Sequence, residues 1–203
     1  MELRMRTHRH LVAVCVALLS STPSQAQDWS GAYGAIGVSD ASGTYQSQIG
    51  GVPLGGTLDW DGTQRHVMLG YNLQRGKLVY GAELSYGSGS VPLQLVPDRN
   101  YLDGMLDVKG RVGLSAGKFL VYGALGWSQT EQFAGGLPPD QSVTASGRYF
   151  GVGADMLVND RVFVGVEYQK RSLDLDQGDI PGFASTSVQN DLQSITLRLG
   201  VKF

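Results

Sequence analysis

Ile195, Leu197, Leu199, Val201 and Phe203 alternate with Ser194, Thr196, Arg198, Gly200 and Lys202. Successive side chains of a strand point to opposite faces, so this period of two predicts a strand with one apolar and one polar face. The pattern recurs upstream. Leu78, Tyr80, Ala82, Leu84 and Tyr86 oppose Val79, Gly81, Glu83, Ser85 and Gly87, and Leu102, Leu106, Val108, Val112 and Leu114 oppose Asp103, Asp107, Lys109, Arg111 and Ser115. Val67, Leu69, Tyr71 and Leu73 stand against His66, Met68, Gly70 and Asn72. Phe150, Val152, Ala154 and Met156 stand against Tyr149, Gly151, Gly153 and Asp155, and Val162, Val164, Val166 and Tyr168 against Gly165, Glu167, Gln169 and Arg171. With weaker strands at 30–39 and 119–130, eight are expected.

The connections alternate in length. Those at 74–77, 117–118 and 158–161 are tight, whereas about 40–59, 88–100, 132–145 and 173–189 are long and polar. Pro53, Pro92, Pro97, Pro138, Pro139 and Pro181 all fall inside the long ones, where the missing N–H costs no ladder bond. A hairpin centred on Arg75-Gly76 puts His66 opposite Ser85, and the turn at Asn159-Asp160 needs three or five residues to keep the apolar faces on one side.

Residues 1–26 do not join this pattern. Arg4, Arg6 and Arg9 precede nine apolar residues from Leu11 to Leu19, and Ser24-Gln25-Ala26 then offers small residues at a cleavage site. This is the layout of a secretory signal peptide, with the mature domain expected at 27–203. The segment carries Cys15, the only cysteine, so disulfide and thiol chemistry are not expected after cleavage. With 16 Lys+Arg against 18 Asp+Glu in the full chain, there is no basic field for nucleic acid. Gly, at 29 of 203 residues, is about twice the ordinary ~7% and argues against a helical protein.

Alternation alone does not say whether the apolar faces look into a water-soluble barrel or out into lipid. The polar faces are crowded with Gly70, Gly81, Gly87, Gly113, Gly153, Gly165 and Gly200, which suits a cramped interior. Tyr71, Tyr86, Trp127 and Tyr168 stand on or near the ends of apolar faces, as in interfacial aromatic girdles. Lys109 and Arg111 facing hydrocarbon would cost about 2–4 kcal/mol each near the midplane. The expected architecture is therefore an all-β, eight-stranded antiparallel up-and-down transmembrane barrel with its polar faces inside. The inward charges are Glu83, Asp103, Asp107, Asp155 and Glu167 against Lys109, Arg111, Arg171, Arg198 and Lys202. Opposite charges in equal number suit pairing across a narrow lumen better than selective ion conduction. A plugged interior is expected, with a narrow passive porin as the alternative.

On these residues the chain resembles the small outer-membrane barrels of Gram-negative bacteria, of the OmpA transmembrane and opacity-type surface antigen kind. The likeness rests on Asp28-Trp29-Ser30-Gly31-Ala32-Tyr33, Gly151-Val152-Gly153-Ala154-Asp155, Val166-Glu167-Tyr168 and the terminal Phe203, and covers 28–203. The resemblance implies an outer-membrane location, a structural envelope role, surroundings of outer-membrane lipid and lipopolysaccharide, and Phe203 as a signal to the barrel-assembly machinery.

Candidate chemistry is sparse. His66, Ser85 and Glu83 have the residue types of a nucleophile, base and orienting acid, but a lumenal triad does not reach a lipid outside the wall. Asp174, Asp176 and Asp179 lack the order and closing Glu of a calcium loop. Gly151-x-Gly153 lacks the third glycine and the helix of a dinucleotide site, and one His gives no axial pair for haem. No enzyme activity, metal or cofactor is expected. Leu95, Val96, Phe133 and Phe183 leave room for an extracellular ligand at the long loops.

Overall fold

The computed structural model describes residues 27–49, 52–94, 100–133, 142–175 and 186–203. The leader, Leu95, Val96, Pro97, Pro138, Pro139, Asp176, Asp179, Pro181 and Phe183 lie outside these. The strands are β1 (Gly31–Ile49), β2 (Val52–Arg75), β3 (Leu78–Ser88), β4 (Val91–Pro92), β5 (Tyr101–Ala116), β6 (Phe119–Phe133), β7 (Val143–Leu157), β8 (Val162–Leu175) and β9 (Thr186–Lys202). They pair antiparallel in the order β3-β2-β1-β9-β8-β7-β6-β5-β4, and a direct β3–β5 ladder closes the sheet. The two-residue β4 pairs with the far end of β5, so the barrel has eight long strands, as the alternation predicts.

Three registers differ from expectation. The first hairpin turns on Gly76-Lys77, with Arg75 opposite Leu78, because Gly76 supplies the positive φ of +61° that a two-residue turn needs at its first position. His66 therefore faces Gly87, and Ser85 faces Met68. The shift is by two residues, so every side chain keeps its face. At the third turn, residues 158–162 separate the last pair, Leu157 and Phe163, giving the five-residue connection that the parity requires.

The second difference is a bulge in β5. The register against β6 shifts between Asp103 and Leu106, which turns Leu102 inward, fully buried, instead of outward. Asp103 leaves the lumen; its carboxylate accepts the amides of Gly89 at 3.1 Å and Gly104 at 2.8 Å.

The third is the length of the strands at the long-loop end. Residues 40–49 and 52–59 pair in a β1–β2 ladder, from Asp40 opposite Thr63 to Ile49 opposite Val52, with a register shift between Tyr45 and Ser47, rather than forming a loop. Pro53 and Pro92 accordingly sit within paired segments, opposite Gln48 and Tyr101. Both lie at strand margins, where the ladder tolerates a missing donor.

This extension inverts the polarity of the wall. On β8 the outward residues run Val164, Val166, Tyr168 and then Lys170, Ser172, Asp174, while the inward ones run Glu167, Gln169, Arg171 and then Leu173, Leu175. On β9, Ile195 to Val201 outside give way upstream to Gln193, Asp191 and Gln189, while inside Arg198, Thr196 and Ser194 give way to Leu192 and Val188. The outward apolar belt reaches nine residues on β3, from Leu78 to Tyr86. At about 3.3 Å per residue and a tilt of about 40°, this covers about 20–23 Å, close to the about 25 Å band of a membrane barrel.

If the belt meets hydrocarbon, Leu197→Arg, at mid-belt and 58% exposed, will destabilise the refolded barrel by about 2–4 kcal/mol. Gln193→Arg, above the belt, will cost about 0–1 kcal/mol. Guanidinium titration in phospholipid vesicles reads both.

Candidate functional site: a sealed ionic lumen

The inward positions carry large side chains opposite glycine. Tyr33 lies across from Gly70, Tyr122 across from Gly153 and Phe163 across from Gly200. A Cβ at any of these glycines would overlap the facing ring. The narrow barrel thus seats an aromatic wherever the adjacent strand has no side chain.

Into this space project four carboxylates and four basic groups, all buried. Arg198 clamps Asp155 through Nε, at 2.8 Å from Oδ1, and through Nη2 to Oδ2. Its Nη1 also donates to Glu83 Oε2 at 2.9 Å. Glu83 Oε2 accepts the Tyr33 hydroxyl at 2.5 Å, and Oε1 pairs with Lys109 Nζ at 3.0 Å. Lys109 Nζ further reaches both oxygens of Glu167, at 2.8 and 2.9 Å, and the Tyr149 hydroxyl at 2.9 Å. Glu167 is closed from the other side by the hydroxyls of Tyr149 at 2.5 Å and Tyr122 at 3.0 Å. Arg111 donates to Asn72 at 2.9 Å and lies between the Tyr33 and Tyr122 rings, 4.7 and 4.9 Å from their centroids. It completes the group through Asp155, at 3.4 Å.

A second unit lies nearer the long-loop end. Arg171 binds Asp107 with both ends of its fork, at 2.9 and 2.7 Å, and Ser128 donates to the same carboxylate at 2.6 Å. Gln169 and Ser194 take the remaining Arg171 donors at 2.6 and 3.1 Å. All eight predicted lumenal residues, Glu83, Asp107, Lys109, Arg111, Asp155, Glu167, Arg171 and Arg198, are thus drawn into two neighbouring ionic units. Lys202 is not among them: its Nζ donates to the Asp28 carbonyl at the short-turn end, 5.7 Å from the centroid of the Trp29 ring. Asp28 itself accepts the Ser30 amide, which holds its carboxyl below the ordinary value.

Apolar layers cap both ends. Toward the short turns, Trp29 and Tyr33 meet Phe163 edge-on, with centroids 6.2 and 5.7 Å apart. Toward the long loops, Trp60, Leu93, Leu102, Met105, Leu173 and Leu192 form a separate buried cluster. The tyrosines were legible as inward by parity, but not their bonds to carboxylates. That upper cluster was missed because Leu93 and Leu173 lie where polar loops were expected and Leu102 was read as outward.

The candidate triad does not assemble. His66 Nε2 is 2.8 Å from Ser39 Oγ, in buried surroundings, and no carboxylate hydrogen-bonds to His66 among the described residues. Glu83 is committed to Tyr33, Arg198 and Lys109 instead.

A family model for the outer membrane protein beta-barrel domain matches residues 11–203. The chain belongs to this family of outer-membrane β-barrels. A relative described as a 22 kDa outer membrane protein of Rhizobium leguminosarum bv. viciae is 33% identical over 156 residues, 70% of each chain. Among solved structures, the outer membrane protein OprG of Pseudomonas aeruginosa superposes with a TM-score of 0.51 at 15% identity, over 86% of this chain and 96% of its own. Neisserial surface protein A gives a TM-score of 0.47 at 13% identity, over 86% and 98%. At these identities the likeness to OprG is one of fold. Membership of the family places the barrel in the outer membrane, and its short turns then lie on the periplasmic side.

Asp155 bridges two guanidinium groups, so Asp155→Ala strands both in a dry interior. It will destabilise the barrel by about 3–5 kcal/mol, whereas the joint replacement Asp155→Leu with Arg198→Met will recover most of that loss. Urea unfolding of the refolded variants in detergent or lipid is the measurement.

Proposed function

We propose that this barrel is a structural component of the outer membrane whose lumen is closed to ions, with its surface role carried by the long-loop end. One observation carries the reading: the lumen is crossed by equal numbers of paired opposite charges, capped above and below by apolar layers. An ion entering would have to break several buried pairs at a cost of several kcal/mol per ion exposed.

On this reading residues 1–26 are a cleaved signal peptide and lipopolysaccharide and phospholipid are the surrounding partners. Phe203 is the assembly signal. Its amide bonds to the Ala32 carbonyl at 2.9 Å, yet its ring is 83% exposed, so the ring does little for the packed interior.

Planar-bilayer recording of the refolded protein will show no steady conductance, and steady channels of uniform size would favour the passive porin instead. Phe203→Ala will refold in vitro with near wild-type stability, yet its abundance in the outer membrane of expressing cells will fall severalfold on fractionation. Equal abundance would remove the assembly role.

A further inference from the structure

The exposed charges of the wall divide unevenly between its two ends. Above the belt each outward base has an acid as a diagonal cross-strand neighbour: Asp40 for Arg65, Asp174 for Arg148 and Asp191 for Lys170. At the short-turn end one sector is balanced as well. Asp28, Asp160, Arg161 and Lys202 line a single pocket with Gln27, Ser30 and Phe203, and both acids lie beside Lys202. The sector across the barrel from this pocket is not balanced. There the β2–β3 turn carries Arg75 and Lys77 and the β5–β6 turn carries Lys118, all exposed. No acid pairs with any of the three among the described residues.

The two turns are neighbours: Leu78 pairs with Leu114, and the Ser115 amide donates to the Lys77 carbonyl at 2.8 Å. Arg75 follows Leu73 on the outward face and Phe119 follows Lys118, so the cations border the belt directly, against exposed Leu73, Leu78, Leu114 and Phe119. Like charges gathered in adjacent turns repel, and an anion among them relieves the repulsion. Two-residue turns do not project far beyond the strands, and the aliphatic stems of Lys and Arg lie along apolar surface while their heads stay at its margin. The heads therefore stand where lipid headgroups begin, and a soluble acidic partner would have to press against the bilayer to meet them. At this depth an anionic phosphate is the group that Lys and Arg donors complement.

We propose that Arg75, Lys77 and Lys118 form a site for the anionic headgroup of a phospholipid in the periplasmic leaflet, its chains lying along Leu73, Leu78 and Leu114. The site is on the outer wall below the belt, independent of whether the lumen conducts.

A relocated tryptophan reads it. Trp29 and Trp60 are each 1% exposed, and the exposed Trp127 stands at the far edge of the belt. Ala116 is exposed across from Phe119, so Trp127→Phe with Ala116→Trp moves the outer indole beside Lys118. Chain-brominated lipids quench tryptophan on contact. This reporter barrel, refolded into phosphatidylcholine vesicles, is compared with equal minor fractions of brominated phosphatidylglycerol or brominated phosphatidylcholine. Each basic residue at an anionic interface contributes about a factor of five, so with one or two cations engaged the preference for phosphatidylglycerol will be about 5- to 25-fold. In R75Q/K77Q/K118Q it will fall to about onefold, in R148Q/K170Q it will persist, and raised salt will weaken it. In the wild type, Trp127 reads the opposite rim, where the charges are paired, and its ratio will stay about onefold. A reporter ratio near one, a preference surviving in R75Q/K77Q/K118Q, an equal loss in R148Q/K170Q, or an equal preference at Trp127 overturns the site. Unchanged heat-dependent gel mobility establishes that each variant is folded, and the salt dependence of the reporter barrel stands without the charge variants.

Discussion

An eight-stranded barrel is too narrow to hold both its own side chains and a column of water, and the rest of the molecule answers that constraint. An ion out of water costs several kcal/mol unless paired and hydrogen-bonded. Here four carboxylates meet four basic groups, and tyrosine hydroxyls, Asn72, Ser128, Gln169 and Ser194 take up remaining lone pairs and protons. Space for these groups comes from glycines placed across from the bulkiest of them, as at Gly70, Gly153 and Gly200. Charge balance and glycine placement are thus two sides of one packing problem.

The solvent outside sets the other half of the design. Within the belt the exterior is apolar and the interior ionic. Beyond Lys170 and Gln193 the order reverses, with Asp174 and Asp191 outside and Leu173, Leu175 and Leu192 inside. Strand parity does not change across this boundary; only the chemistry of each face does. A buried apolar layer over the ionic units also keeps water from them.

Most of the wall was legible in the sequence because period-two alternation is unambiguous wherever one face is lipid and the other ionic. Tyr71, Leu84, Val166 and Leu197 declared their faces, and with them the eight lumenal charges. What escaped has physical reasons. Near Asp40 to Asp59 and Leu173 to Val188 the alternation weakens and inverts, so strands looked like polar loops. The bulge at Asp103 has no signature stronger than a nearby glycine, and it swapped Leu102 with Asp103. The turn at Gly76-Lys77 was misplaced by one position, which left faces intact but moved His66 from Ser85 to Gly87 and its hydrogen bond to Ser39. Pairings across the lumen, such as Arg198 with Asp155, join distant parts of the chain that local pattern does not connect.

The β1–β2 ladder continues eleven residues past Val38 to Ile49. At about 3.3 Å per residue and the usual tilt, that lifts its tip about 25–30 Å clear of the bilayer. The described strands therefore continue beyond the belt as a pedestal that folds around its own apolar centre rather than around the ionic units below.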